Sequence, residues 1–265
     1  MKSLERIAEE IRYKIIKTSH ISKIPHLASS LSCIDIMIFL YLKVLNIKKI
    51  NDFKRDKFIL SKGHAATALY SLFNYLNFIS DEELMNYAKP NSLLEEHPSH
   101  KLVGVEASTG SLGHGLPLAC GLAIGSKLKK IENKHFVLVG DGECNEGTIW
   151  EAVMFASSKK LDNLYVYIDF NKWQATGKNE EIINLKNLNK KFESFGWDTL
   201  LINGNDYKSL EQSYKKLKIK SGKPKVFIAN TIKGKGVSFM EDDNNWHYRI
   251  PDEIELNKAK KELKI

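Results

Sequence analysis

Cysteine is sparse in this chain. Cys33, Cys120 and Cys144 are its only three in 265 residues, far apart and without a CxxC pair. That spacing supports neither a disulfide framework nor a zinc site, and it suits a reducing cytoplasm. Long apolar runs are missing too. The longest, Ile34 to Leu42, is broken by Asp35 and followed by Lys43, well short of the roughly 20 residues a helix needs to cross a bilayer. The opening Met1-Lys2-Ser3-Leu4-Glu5 runs straight into an amphipathic pattern with acidic residues, so neither a signal peptide nor a membrane partner is expected. Internal repeats and linker-like segments are absent. The loop Lys233-Gly234-Lys235-Gly236 lacks the Lys-Ser or Lys-Thr of a phosphate loop, and a solvated turn is its expected role. Positive charge is present without being concentrated: the net charge is +8, but lysines are scattered over almost every expected helix surface. That distribution argues against nucleic acid as a partner.

What remains is ordinary globular material, 43% hydrophobic and 27% charged, of a length that suits one large α/β domain over residues 1–265. Leu4, Ile7, Ala8, Ile11 and Ile15 recur at helical spacing and predict a helix ending near Thr18. A loop over 20–30 follows, then a buried helix from an N-cap at Ser32 to Leu45. Strands are expected at 57–61, 137–139, 165–168, 199–202 and 225–232. Between them lie helices at 65–76, at 80–89 behind a Ser80/Glu83 capping box, through the small residues Ala119, Gly121, Ala123 and Gly125, from near Leu185 to Phe192, and from Asp206 to near Lys220. A last helix begins at Pro251. This βα alternation predicts a doubly wound, mainly parallel sheet.

The chemistry gathers around residues 136–177. An apolar strand runs into Gly140-Asp141-Gly142, a helix follows, and the next strand ends at Asp169-Phe170-Asn171. In open parallel sheets ligands bind outside the carboxyl ends of the strands, and glycines there let the backbone approach a ligand closely. Asp141 and Asn171, one strand-helix-strand unit apart, can offer hard oxygens to one magnesium ion, with the Trp173 carbonyl as another donor. A simple Asp-Gly turn is the competing explanation. His64, His97, His114 and His247 fall on loops bordering the same crevice, where imidazoles can bond an anion or move protons near neutral pH. For any one of them alone, a satisfied loop histidine is the plainer reading.

These residues sit in longer stretches with a family likeness: SLSCIDI (30–36), LSKGHAATALY (60–70), GVEASTGSLGHGL (104–116), GDGECNEGTIWEA (140–152), KLDNLYVYIDFN (160–171) and TIKGKGVSFM (231–240). In that order the chain resembles the N-terminal, diphosphate-binding half of transketolase, as found where the enzyme is split into two polypeptides. The resemblance implies thiamine diphosphate with Mg2+ (or Ca2+), the metal held by Asp141, Asn171 and the Trp173 carbonyl. It implies His64, Gly140, Gly142, Asn171 and His247 at the diphosphate, and Gly110, Ser111 and Leu112 against the aminopyrimidine. His26, His97 and His247 would be the catalytic histidines of the substrate funnel. Glu146 and Glu151 match glutamates placed between two active sites across a dimer, although both also read as charges at a helix N-terminus.

Three departures fall at the funnel: Pro25-His26-Leu27-Ala28-Ser29 where Gly-His and paired glycines are usual, His114 for a glutamine, and Tyr248 for a glycine. A changed sugar is therefore expected more readily than a changed cofactor. The implied activity is transfer of a two-carbon ketol unit from a ketose phosphate to an aldose phosphate. Every βα unit is used in the cofactor half, so the chain is expected to be inactive alone and completed by a C-terminal transketolase subunit, most simply as α2β2. Another thiamine diphosphate enzyme acting on pyruvate or a modified sugar, or a non-catalytic partner-binding relic, are the alternatives.

Overall fold

A computed structural model describes residues 2–218 and 221–265. Five strands, β1 (Lys57–Leu60), β2 (His135–Gly140), β3 (Leu164–Phe170), β4 (Asp198–Asn203) and β5 (Lys225–Asn230), form one sheet in the order β1-β2-β3-β5-β4, with every pairing parallel. Parallel neighbours joined by right-handed crossovers put their helices on one face while the chain steps one way, and on the other face when it reverses. That rule accounts for the helices packed directly on the sheet. Helices α5 (Gly115–Leu128), α6 (Gly147–Ser158) and α8 (Leu188–Ser194), on the outward steps, pack with Val137, Val139, Val166, Ile168, Val226 and Ile228. Helix α9 (Tyr207–Leu217), on the backward step from β4 to β5, lies on the opposite face with Phe136, Leu138, Tyr165, Tyr167 and Phe227. Strict alternation along β2, β3 and β5 thus divides the core into two layers. The short helices α4 (Asp81–Met85) and α7 (Asn179–Ile182) sit in connections, with α4 closed by the expected Ser80/Glu83 capping box.

The second layer is completed by α1 (Leu4–Ser22), α2 (Leu27–Phe39), α3 (Ala66–Tyr75) and α10 (Glu253–Glu262). Helix α1 runs past Thr18 because Thr18 and Ser19 face inward, and Ser19 Oγ donates to the Ile24 carbonyl at 2.7 Å. Helix α2 begins at Leu27 and not at Ser32. Ser30 and Ser32 are inside it, their hydroxyls bonded to the carbonyls of His26 and Ser29, so hydroxyls expected at a cap serve the helix interior and the site instead. All thirteen residues of α2 are buried, and it continues through one wider turn, Leu40–Val44. The apolar stretch Leu27–Val44 is 78% buried within the protein, as a core helix should be. Strand β5 stops at Asn230, where Thr231 leaves the ladder to bond an aspartate of β3. Helix α8 starts at Leu188, with Leu185 packed into the core from the preceding loop. The expected end of α9 near Lys220 lies outside the described residues.

One buried network ties this helical layer together. Arg12 of α1 reaches Asp35 of α2 at 2.5 Å and donates from Nε to the Lys235 carbonyl at 2.8 Å. Asp35 also accepts from Asn205 at 2.8 Å and from the Tyr207 hydroxyl at 3.0 Å. Gly236 (φ 98°) makes room, since a Cβ there would lie 2.5 Å from Arg12 Cδ. Removing one partner of such a pair strands the other charge in the interior. Arg12→Met should therefore lower stability by about 3–5 kcal/mol, read as a lower urea midpoint with unchanged slope.

Candidate active site

The carboxyl ends of β1, β2 and β3 open onto a cavity of about 500 Å3, lined among others by His26, His64, Asp141, Asn171, Trp173 and His247. Asp141 follows β2 directly and is almost fully buried. Its Oδ1 accepts from the Gly142 N–H at 2.9 Å and its Oδ2 from the Lys172 N–H at 2.6 Å. Burial, with the Asp169 carboxylate second, pushes its pKa up to about 7. Asn171 follows β3, its Oδ1 accepting from the Trp173 N–H at 3.0 Å and its Nδ2 donating to Asp169 at 3.1 Å. The Trp173 backbone bridges to Lys178, and its indole donates to Asp242 at 2.7 Å.

Under this mouth lies an ion pair that sequence reasoning missed. Asp169, in β3 and fully buried, accepts from Lys62 Nζ at 2.5 Å, Ser32 Oγ at 2.6 Å and Thr231 Oγ1 at 2.5 Å. Lys62 also donates to the Ser29 carbonyl at 3.1 Å. Burial disfavours its charge, but Asp169 outweighs that and its pKa ends above the ordinary value. Lys233 corrects the expectation of a solvated turn: it is 1% exposed, bonded to Asn244 Oδ1 at 2.5 Å. Burial, then Lys62, draws its pKa down to about 8. Glu143 fastens three loops at once, accepting from Ser61 Oγ at 2.5 Å, the Gly113 N–H at 2.8 Å and the Gly140 N–H at 3.0 Å. The available signal was a charged residue within an otherwise apolar strand (Asp169) and polar residues inside the motifs already quoted.

Three histidines, His26, His64 and His247, line the cavity, and His97 lies beside His26. The His26 ring lies 5.4 Å from His64, 6.5 Å from His97 and 5.0 Å from His247, and His64 is 5.8 Å from His247. Burial is the leading cause that lowers His26, His64 and His247, the last to about 3, with nearby lysines and imidazoles adding to it. His26, His64 and His247 are thus neutral at pH 7, each able to give one hydrogen bond and accept another. His114 does not join them; it is exposed and bonds the Leu112 carbonyl.

Gly110 and Leu112 line the cavity, whereas Ser111 is exposed beside it. Backbones meet closely here, since a Cβ on Gly63 would lie 2.8 Å from the Gly110 nitrogen. Gly140 and Gly142 line the opposite wall with Glu146, which precedes α6; Glu151 is exposed on that helix and outside the cavity lining. Buried donors Asn145 Nδ2 and Gln174 Nε2 have no partner among the described residues, and both residues line the cavity. Unpaired N–H donors, glycine walls and the buried Lys62 fit an anionic group with several oxygens. No cluster of three His, Cys, Asp or Glu side chains suited to a metal occurs among the described residues. A cation at Asp141 would need amide, carbonyl and ligand oxygens as well.

Residues 4–264 match the family described as transketolase, thiamine diphosphate binding domain. The chain belongs to the transketolase family, as its N-terminal, thiamine diphosphate-binding subunit. It is 42% identical to an apulose-4-phosphate transketolase subunit of Actinobacillus succinogenes, covering 98% of this chain and 96% of that one. It is 36% identical to the apulose-4-phosphate transketolase subunit of Phocaeicola vulgatus over 99% and 94%. A 6-deoxy-6-sulfo-D-fructose transketolase subunit of Clostridium is 36% identical over 82% and 80%. The transketolase structure from Campylobacter jejuni superposes with a TM-score of 0.93 at 30% identity, over all of this chain but 43% of that one. The chain therefore spans less than half of the solved transketolase. With such relatives it is one half of a split transferase of the ketol-transferring type.

The depressed histidines carry a pH signature. A base whose folded pKa lies below its unfolded value binds fewer protons when folded, so it supports the fold above about pH 6.5 and loses that support as pH falls toward the folded pKa. His247 (about 3) and His135, a buried residue of β2 that burial lowers to about 4, define the window. Each adds a slope of up to about 1.4 kcal/mol per pH unit. Urea unfolding of the cofactor-free chain should show stability falling between about pH 6.5 and 4, and His135→Gln should make that fall shallower.

Proposed function

We propose that this chain binds thiamine diphosphate with Mg2+ and, joined to a separate C-terminal transketolase subunit in an α2β2 assembly, moves a two-carbon ketol unit from a ketose phosphate to an aldose phosphate. The observation that carries this reading is Asp141 and Asn171 at neighbouring strand mouths, sharing one cavity with His26, His64 and His247, while the His97 ring lies 6.5 Å from His26. Asp141, Asn171 and the Trp173 carbonyl would hold the metal, while Lys62, Lys233 and the free amide donors balance and bind the diphosphate. When bound, thiamine diphosphate supplies the nucleophilic carbon that takes up the ketol unit. The chain's own residues do the rest: His64 and His247 border the diphosphate, and His26, His97 and His247 accept and return hydroxyl protons. Glu146 and Glu151 would link this site to a second one across the assembly. Three buried cysteines without partners among the described residues suit a reducing cytoplasm.

Relatives named for apulose-4-phosphate and for a sulfonated fructose favour a modified, anionic sugar as substrate. Tyr248 is where the difference would be felt. Tyr248 is 62% exposed, and its ring lies 4.7 Å from His247 and 5.9 Å from His26.

Asp141→Ala should leave the far-ultraviolet circular dichroism unchanged and abolish magnesium-dependent binding of thiamine diphosphate in calorimetry of the complex purified from its own cells; unaltered affinity would remove the metal assignment. The same complex should use xylulose 5-phosphate or a modified ketose phosphate in preference to pyruvate, and preference for pyruvate would sink ketol transfer. Tyr248→Gly should change the ranking of aldose acceptors by about tenfold, the scale on which a small change in a pocket wall discriminates substrates, with cofactor affinity held constant.

A further inference from the structure

His26 is the one imidazole of the cluster held by an unusual backbone. As the residue ahead of α2 it sits in the left-handed region (φ 68°, ψ 24°), and its N–H donates to the His247 carbonyl at 2.8 Å. For a residue with a side chain that conformation costs on the order of 1 kcal/mol, and it carries the ring in among the other three histidines. Nδ1 of this ring is buried and lacks a hydrogen-bond partner among the described residues. The carboxylate beside it is Glu96, whose Oε1 lies 3.7 Å from Nδ1 and whose side chain is 43% exposed. Glu96 comes from the loop that also delivers His97, so one loop brings both an imidazole and a carboxylate to His26.

A buried nitrogen without a partner is costly, and a small rotation of a half-exposed glutamate closes the remaining gap. The groups around the ring are His64, His97, His247, Tyr248, Lys62, Lys233 and Glu96. Burial, His97 and the two lysines work against a proton on the ring, and Glu96 works for one. A carboxylate can only accept, so it selects the tautomer with its proton on Nδ1. The other nitrogen, Nε2, then has a lone pair.

We propose that Glu96 is a positioning residue for His26: its carboxylate holds the proton on Nδ1 and leaves Nε2 as the acceptor for a sugar hydroxyl. What His26 does with that lone pair rests on the ketol-transfer reading; the Glu96–His26 pairing is a property of this chain alone. Nitrogen NMR of the full chain with labelled histidines tests it, with the His26 signals assigned by their loss in His26→Gln. At about pH 8 the native ring should be protonated on Nδ1. In Glu96→Gln the ring should become a mixture of tautomers and should titrate at lower pH. In the complex, the same variant should lose about tenfold or more in kcat/KM and shift the acid limb of its pH profile downward, which a merely structural role for Glu96 would not do. A native ring protonated on Nε2, or a tautomer and midpoint unchanged in Glu96→Gln, overturns the proposal. If the NMR result is as expected but the native complex transfers no ketol unit, the reaction assignment fails and the pairing stands.

Discussion

The Lys62–Asp169 ion pair is the constraint on which the site depends. Asp169 is in the middle strand of the sheet with no route to water, and it is held by four donors that come from the β1 mouth, α2, the β3 mouth and the end of β5. Each donor is also a site residue or the neighbour of one: Lys62 precedes Gly63-His64, Ser32 shares α2 with Ser29, Asn171 is an expected metal ligand, and Thr231 leads to Lys233. Pulling four elements onto one carboxylate fixes their separations before any ligand arrives. A buried pair of this kind gains little net stability over an apolar packing. Its value is in orientation.

Strand order makes the convergence possible. Because β3 lies between β2 and β5, its end is flanked by Gly140-Asp141 on one side and Thr231 on the other. The backward step from β4 to β5 brings the last loop, with Lys233 and later His247, across the helical layer to meet the first loops of the chain. His26, in the first loop, and His247, near the C-terminal helix, end as neighbours although almost the whole chain separates them. Glu143 does for the β1 and β2 mouths what Asp169 does for β3 and β5.

Much of this was legible in the sequence, and the parts that were not share a cause. Strand positions, the sheet type and the placing of Asp141 and Asn171 at neighbouring strand mouths follow from short apolar runs, glycine punctuation and βα alternation. The Ser32 cap failed because a hydroxyl ahead of an apolar run suits a helix start by local rules, while here it serves a carboxylate supplied by a distant strand. Lys233 failed for a similar reason: next to glycines it has the look of a surface turn, and only the three-dimensional return of that loop buries it. His114 failed in the opposite direction, being close in sequence to the cavity but turned outward. Local chemistry predicts elements; it does not reveal which polar side chain a remote partner will bury.

Helix α2 has a consequence for how such a protein can change. It is enclosed on every side, and it carries Ser29 and Ser32 toward the cavity and Asp35 toward the Arg12 network. Turning it by one residue would withdraw both sets of contacts together, and enlarging or shrinking its side chains would be felt at both. Sequence drift along α2 is therefore restricted to substitutions of equal volume. New substrate preference has to arise where the packing ends, in the short segments before α2 and after the Trp246-His247 turn, so the fold sets apart a part of itself that cannot vary from a margin that can.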